Sequence, residues 1–289
     1  MDYFAQQAIN AVQLGSIYAL IALGYSMVYG VLVMINFAHG DVFMVSTFFC
    51  FLLLLVLPVP FVAALIIVKL ATALLGVAIE RLAYRPLRNA PRVSAIITAL
   101  GCGLVIQNTT LSISPYSQRM PELFTPVTWQ FGGVSVSSLQ LLIIGVSVGL
   151  MIALDFFIRR TRYGMAMRAI AQDRITVPLM GVPVNTMIAM TFAIGAALGG
   201  AAGVLYASAY PVISATMGVL VGWKAFVAAV IGGIGNVRGA VLGAYVLGAV
   251  EVFTVTVLPS TYRDLVVYAL LLVILVFKPR QVQVNVDLV

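Results

Sequence analysis

The stretch LGSIYALIALGYSMVYGVLVMINFAHGDVF, residues 14–43, carries two signals that pull against each other. Its first part is an uncharged, mostly apolar run, long enough at helical rise to cross a bilayer. It then places Asn36, His39, Gly40 and Asp41 within six positions, and His39 is the single histidine of the chain. The first signal decides the fold class, and the second asks what hydrogen-bonding groups do beside a lipid-compatible helix.

Working outward, the rest of the chain repeats the first signal. Of 289 residues, 62% are hydrophobic and only 9% are charged, with a mean hydropathy of +1.11. A folded soluble surface needs about 25% charged residues to stay solvated. So few charges cannot cover a water-facing surface, and lipid must be the solvent. Further apolar windows lie at Ala5–Met34, Val42–Leu57, Phe61–Ala83, Val93–Ile113, Leu139–Ile158, Met187–Ala209, Val219–Ile234, Ala240–Leu258 and Leu265–Phe277. Continuous runs of this kind predict helices and not the alternating strands of a barrel. The expectation is an all-α, polytopic transmembrane bundle forming a single domain over residues 1–289, with roughly eight to ten crossings. The first apolar segment follows no basic n-region, so it reads as a span and not as a cleaved leader. Cys50 and Cys102 lie inside apolar runs and read as small packing residues, not as a disulfide or metal pair.

Basic residues set the expected orientation. Arg81, Arg85, Arg88 and Arg92 fill one loop, Arg159, Arg160, Arg162, Arg168 and Arg174 another, and Lys278 and Arg280 follow the last run. Loops rich in Lys and Arg stay in the cytoplasm. The net charge of +7 is therefore an orientation signal and predicts no nucleic-acid partner. Ser114–Ser138 then falls outside, and so does the N-terminus.

Two places interrupt the runs. One is Asn36–Asp41; the other is GGIGNVRG, residues 232–239, with Gly232, Gly233, Gly235 and Asn236. Each reads either as a tight turn at the membrane face or as an interrupted or re-entrant helix lining a translocation pathway in one of two related halves. His39 has no second histidine or nearby cysteine, so it supports no metal site; its ring is expected to bond a carbonyl or carboxylate and hold the turn. Lys69, at depth in its run, snorkels or pairs with a neighbouring helix. Glu80, next to Arg81, reads as interfacial. Glu251 must face protein or a water-filled cavity. Tyr18, Tyr25 and Tyr29 share one helical face, as a packing stripe or a binding wall. Gly195, Gly199 and Gly203, and again Gly235, Gly239 and Gly243, recur every four residues, the spacing that lets helix backbones approach in lipid.

The basic segment of residues 159–185 is too long for a turn. Met165–Arg174 reads as a short amphipathic helix, stopped by Pro178 and Gly181, lying across the cytoplasmic face as a docking element or as a merely interfacial helix.

Taken together, LGSIYALIALGYSMVYGVLVMINFAHGD (14–41), RAIAQDRITVPLMGV (168–182), TFAIGAALGGAAGVLYA (191–207), AFVAAVIGGIGNVRGAVLGAYVLGAVE (225–251) and KPR (278–280) resemble the permease subunits of ABC importers for branched-chain (hydrophobic) amino acids, nearer to the shorter of the two permease types. The resemblance implies a heteromeric importer in the bacterial cytoplasmic (inner) membrane. Its partners would be a second permease, two ABC ATPase subunits and an external or periplasmic substrate-binding protein. It implies that the helix around Arg168–Gly181 is a coupling helix, with Arg168, Asp173 and Gly181 facing an ATPase. It also implies that Asn36, His39, Gly40, Asp41, Gly232, Gly233, Gly235 and Asn236 line the pathway. The chain has no G-x-x-x-x-G-K-[ST] loop, so ATP and Mg would be bound by partners and this chain would hold no cofactor. No catalytic constellation is readable, so a transport subunit and not an enzyme is expected. The alternatives are a urea or short-amide permease of the same type, a single-chain ion-coupled secondary transporter, and a passive channel.

Overall fold

The computed structural model describes residues 2–88, 90–123 and 125–277; Lys278 and Arg280 lie outside them. The chain runs α1 (Asp2–Leu32), α2 (His39–Val56), α3 (Phe61–Ile79), α4 (Arg92–Ile113), β1 (Gln118–Arg119), β2 (Thr128–Phe131), β3 (Val134–Ser137), α5 (Ser138–Arg160), α6 (Arg162–Gln172), α7 (Val184–Ala209), β4 (Val212–Ile213), α8 (Met217–Gly232), α9 (Val237–Val257) and α10 (Arg263–Phe277). Among the described residues, eight helices are long and apolar enough to cross a membrane, and α8 is a shorter apolar helix. Each apolar window of the sequence has become one of these nine. Two antiparallel pairs, β1 with β4 and β2 with β3, are minor additions to an otherwise helical protein.

α1 and α7 are the hub. From Leu14 to Val28 α1 is buried on every side, as expected of a helix that is apolar all round. Glycines bring its neighbours close. On the face toward α7, a Cβ on Gly195 would sit 3.2 Å from the carbonyl oxygen of Gly24. α9 runs antiparallel to α1, with Gly15 against Ala244 and Tyr245 and Gly30 against Gly235. α3 runs antiparallel to α7, Thr72 against Gly200 and Gly76 against Phe192. Lipid tails give apolar area no reason to leave them, so these backbone approaches and their van der Waals contacts hold the bundle. The outer helices keep large side chains exposed, among them Leu74, Leu104, Ile152 and Leu272.

The two ends of the bundle differ. At one end Arg88 bonds Asn185 and pairs with Glu80, and Arg238 meets Asp155 at 3.2 Å. Glu80, read from sequence as interfacial, is thus buried and paired with Arg88. At the other end Gln6 accepts from Ser135 N–H, and Met120 N–H donates to Pro211.

The amphipathic helix is displaced from its expected bounds. α6 ends at Gln172, before Pro178 and Gly181. Asp173 stops it: its backbone is extended, and its Oδ1 accepts from the N–H groups of Ile175 (2.8 Å) and Thr176 (3.0 Å). Such local side-chain bonds compete with helix continuation. Pro178 instead sits in a 3₁₀ turn, Val177–Met180, closed by Gly181 in the left-handed conformation (φ 79°).

Candidate functional site

The site begins where α1 gives out. Val33 adopts φ 54°, the single positive-φ non-glycine residue among those described, a conformation that costs a β-branched side chain roughly 1–2 kcal/mol. Residues 33–38 then run without regular helix until α2 starts at His39. The depth of that start follows from its neighbours. A Cβ on Gly24 would overlap the ring of His39, and one on Gly199 would lie 3.2 Å from it. Gly199 is fifteen residues into the 26-residue α7, about 22 Å from one end of a helix of about 39 Å. α2 therefore begins near half-way along the bundle.

α8 begins at the same level. A Cβ on Gly40 would lie 2.5 Å from the carbonyl oxygen of Gly218 and 2.9 Å from the Cα of Gly222. The extended piece Tyr210–Thr216, with β4 in it, brings the chain inward from the end of α7 to this point. Two helices thus start side by side within the bundle and run to opposite ends: α2 to Val56, α8 to Gly232. Each helix start carries a partial positive charge, and neither Ala38 nor Thr216 supplies a side-chain cap.

The polar residues of Asn36–Asp41 are brought together here. Asn36 O accepts from His39 N–H (3.0 Å), and Asn36 Oδ1 accepts from the hydroxyl of Tyr84 (3.0 Å). Tyr84 ends a π-helical turn, Glu80–Tyr84, at the end of α3, and π turns re-aim side chains at functional places. His39 packs edge-to-face on Tyr25 (4.9 Å between centroids), and its ring meets the backbone of Ile21. The hydroxyl of Tyr25 lies beside the crossing of α2 and α8, 3.3 Å from where a Cβ on Gly222 would sit. Asp41, in the first turn of α2, is buried with Oδ1 unpartnered. Beside it lies a cavity of about 270 Å³, walled by Tyr25, Phe37, Asp41, Gln107, Trp223 and Phe226 among others. Phe37 and Trp223 approach to 5.5 Å and Trp223 and Phe226 to 5.8 Å.

Gly232, Gly233, Gly235 and Asn236 lie elsewhere. They form the turn between α8 and α9 at the arginine-bearing end, where Gly235 packs on Gly30. Gly233 (φ 89°) and Gly235 (φ 92°) occupy backbone that a side chain would strain, and Asn236 caps α9 by accepting from Gly239 N–H (3.1 Å). Gly239 packs on Gly232 and Gly243 on Ala228. The second helix start at mid-bundle is at Met217; its approach, YPVISAT, reads in sequence as an ordinary loop.

Of the basic-loop residues, Arg168 donates to the carbonyl of Ile158, Asp173 closes its own turn, and Gly181 ends the 3₁₀ turn. Asp173 and Gly181 are exposed and Arg168 is half-buried. Beside them the large apolar side chains of Ile175 (87% exposed), Leu179 (85%) and Met180 (79%) face outward.

Sequence reasoning also passed over Lys224. Its Nζ pairs with Glu251 (2.9 Å) and Asp264 (2.7 Å), while the hydroxyl of Tyr18 donates to Glu251 (2.8 Å) and Arg263 lies 3.5 Å from it. Glu251 accordingly faces protein. A lysine in the apolar run of α8 was the available signal. Among the described residues no group of three or more His, Cys, Asp or Glu lies together as a metal site.

A bundle of apolar helices, eight of them long enough to cross a membrane and two helices starting half-way through it, defines a polytopic membrane protein. The family model described as the permease component of branched-chain amino acid transport systems matches residues 7–275, and the chain belongs to that family. It is similar to the high-affinity branched-chain amino acid transport system permease protein BraD of Pseudomonas aeruginosa, with 40% identity over 96% of this chain and 94% of that protein. It is equally similar to the LivH permeases of Salmonella typhimurium and Escherichia coli, each 40% identical with 96% and 94% of the two chains covered. No solved structure matches. The chain is a permease subunit and not an enzyme.

Proposed function

We propose that this chain, acting as one permease domain, forms with a second permease the translocation pathway of an ATP-driven ABC importer in the bacterial cytoplasmic membrane. The cargo class is branched-chain or other hydrophobic amino acids, the class printed in the names of its relatives. Asn36, His39, Gly40 and Asp41 belong to the pathway at mid-membrane, and Gly232, Gly233, Gly235 and Asn236 to its cytoplasmic mouth. A substrate-binding protein delivers the cargo at the opposite end, and two ATPase subunits bind ATP and Mg on the cytoplasmic side.

The observation that carries the coupling is the exposed trio Ile175, Leu179 and Met180. It lies outside every candidate span, at the end where the arginines gather. Large apolar side chains exposed together mark an interaction surface. Their mounting is rigid: α6 buries Gly164, Met167 and Ile170 against the bundle, Arg168 ties it to the end of α5, and Asp173 and Gly181 shape the turn that presents the trio. Arg168, Asp173 and Gly181 thus serve the ATPase contact by holding its apolar centre. Replacing Ile175, Leu179 and Met180 together by Ser leaves the permease pair intact and strips the ATPases from it, as read by co-purification and by loss of leucine uptake. Full ATPase retention in that variant refutes the assignment.

A further inference from the structure

The opposed helix starts leave one carboxylate unaccounted for. Asp41 is 8% exposed, its Oδ1 is covered and has no hydrogen-bond partner, and it forms part of the wall of the 270 Å³ cavity. It sits in the first turn of α2, and a Cβ on Gly218 at the start of α8 would lie 3.1 Å from that same Oδ1. Two helix starts, each worth roughly half a positive charge, therefore flank this carboxyl group. Among the described residues no Lys or Arg lines the cavity.

We propose that Asp41 is the ammonium-binding station of the pathway, holding the α-ammonium of a zwitterionic, aliphatic amino acid on its carboxylate while the ligand's carboxylate faces the start of α8. The inference rests on the pathway reading above and names the chemistry at its centre. A zwitterion crossing a membrane needs one acceptor of full charge and one set of donors, set a few ångströms apart. Asp41 supplies the first; the backbone N–H groups at the start of α8 supply the second, as helix starts do for anions. Gly40, Gly218 and Gly222 keep both backbones bare at this place, so that the two groups lie side by side. Phe37, Trp223 and Phe226 give the side chain an aromatic wall, and Tyr25 and Gln107 are polar side chains on the same cavity. The space, about 270 Å³, suits a small amino acid and not a peptide. Nothing charged remains to grip the cargo beyond this pair, as a station on a route requires.

The test uses the assembled importer, this chain with its second permease, ATPases and binding protein, in lipid vesicles. Asp41→Asn keeps size and shape and removes the charge; leucine uptake falls by about tenfold or more, since a charge-assisted bond is lost. Asp41→Glu restores at least about a third of it. Solid-state NMR on the wild-type assembly with ¹⁵N-leucine at millimolar concentration shows a dipolar contact between the ammonium nitrogen and an aspartate carboxylate carbon, absent from Asp41→Asn. Uptake by Asp41→Asn within about twofold of wild type, or no such contact in the wild-type assembly, overturns the station. If Asp41→Asn fails to assemble, the wild-type contact alone decides. Failure of the wild-type assembly to take up leucine at all would instead overturn the permease reading.

Discussion

The guanidinium of Arg174 donates to the carbonyl oxygen of Leu32 across 3.3 Å, tying the basic loop to the last helical residue of α1. Beyond Leu32 come Val33, in its left-handed conformation, and the non-helical segment that leads down to His39 and Asp41. A loop that presents Ile175, Leu179 and Met180 at the surface is thereby joined, through one side chain, to the segment that sets where α2 begins. Burial, with Arg88 nearby, holds the guanidinium below its usual pKa, yet arginine stays charged at any physiological pH.

Arg174→Ala removes this tie and leaves the Leu32 carbonyl without its cation. The bond is worth about 1 kcal/mol, too little to unfold the bundle. We expect ATPase subunits to bind the variant normally and leucine uptake per ATP hydrolysed to fall several-fold. Unchanged coupling would show that motion reaches α2 by another route.

Val33→Gly separates strain from packing. Relief of the left-handed valine offsets the extra backbone freedom, so thermal stability in detergent changes by no more than about 1 kcal/mol. Val31→Gly, two residues earlier in buried helix, loses both side-chain packing and helix propensity and costs about 2–3 kcal/mol. Equal losses in the two would mean that Val33 is not strained.

The crossing of α2 and α8 offers a third test. Gly222→Ala would place a Cβ 2.6 Å from the Cα of Gly40, backbone against backbone, and such overpacking costs about 1–3 kcal/mol. Gly101→Ala, which meets nothing within 4 Å, is the matched control and should leave the unfolding midpoint unmoved. A silent Gly222→Ala would mean that the two helix starts are not in contact.

These particulars also mark what a single sequence can reveal. The spans were legible because each is an apolar run of fixed minimum length, a property of the chain alone. Depth was not. FAHGD and GGIGN look alike as strings, each glycine beside a polar residue, yet one lies half-way along α7 and the other turns at the end of the bundle. Only the neighbours, Gly199 and Gly24 for His39 and Gly30 for Gly235, fix those levels. The start of α8 was hidden for the same reason: Thr216 and Met217 carry no cue that Gly40 packs beside them. Asp173 illustrates a different limit. As a charged residue on a basic loop it reads as an outward-facing contact; it is exposed, and its Oδ1 also accepts from the N–H groups of two residues of its own turn, Ile175 and Thr176.

Asp173 also yields a pH prediction of definite sign. Its hydrogen bonds with Thr176 and with the backbone N–H of Ile175 hold its carboxyl below the ordinary carboxylate value. A depressed folded pKa contributes stability that is present above the unfolded value of about 3.9 and is lost as pH falls through the folded one. The turn that presents Ile175 is therefore unchanged from pH 8 to pH 5 and loosens only in strong acid. A spin label at position 175 should report constant mobility across that neutral range. Asp173→Asn, which keeps an acceptor oxygen, should retain the ordered spectrum at every pH, while Asp173→Ala should be mobile throughout. Loosening of the wild-type loop near pH 6 would assign the titration to another group.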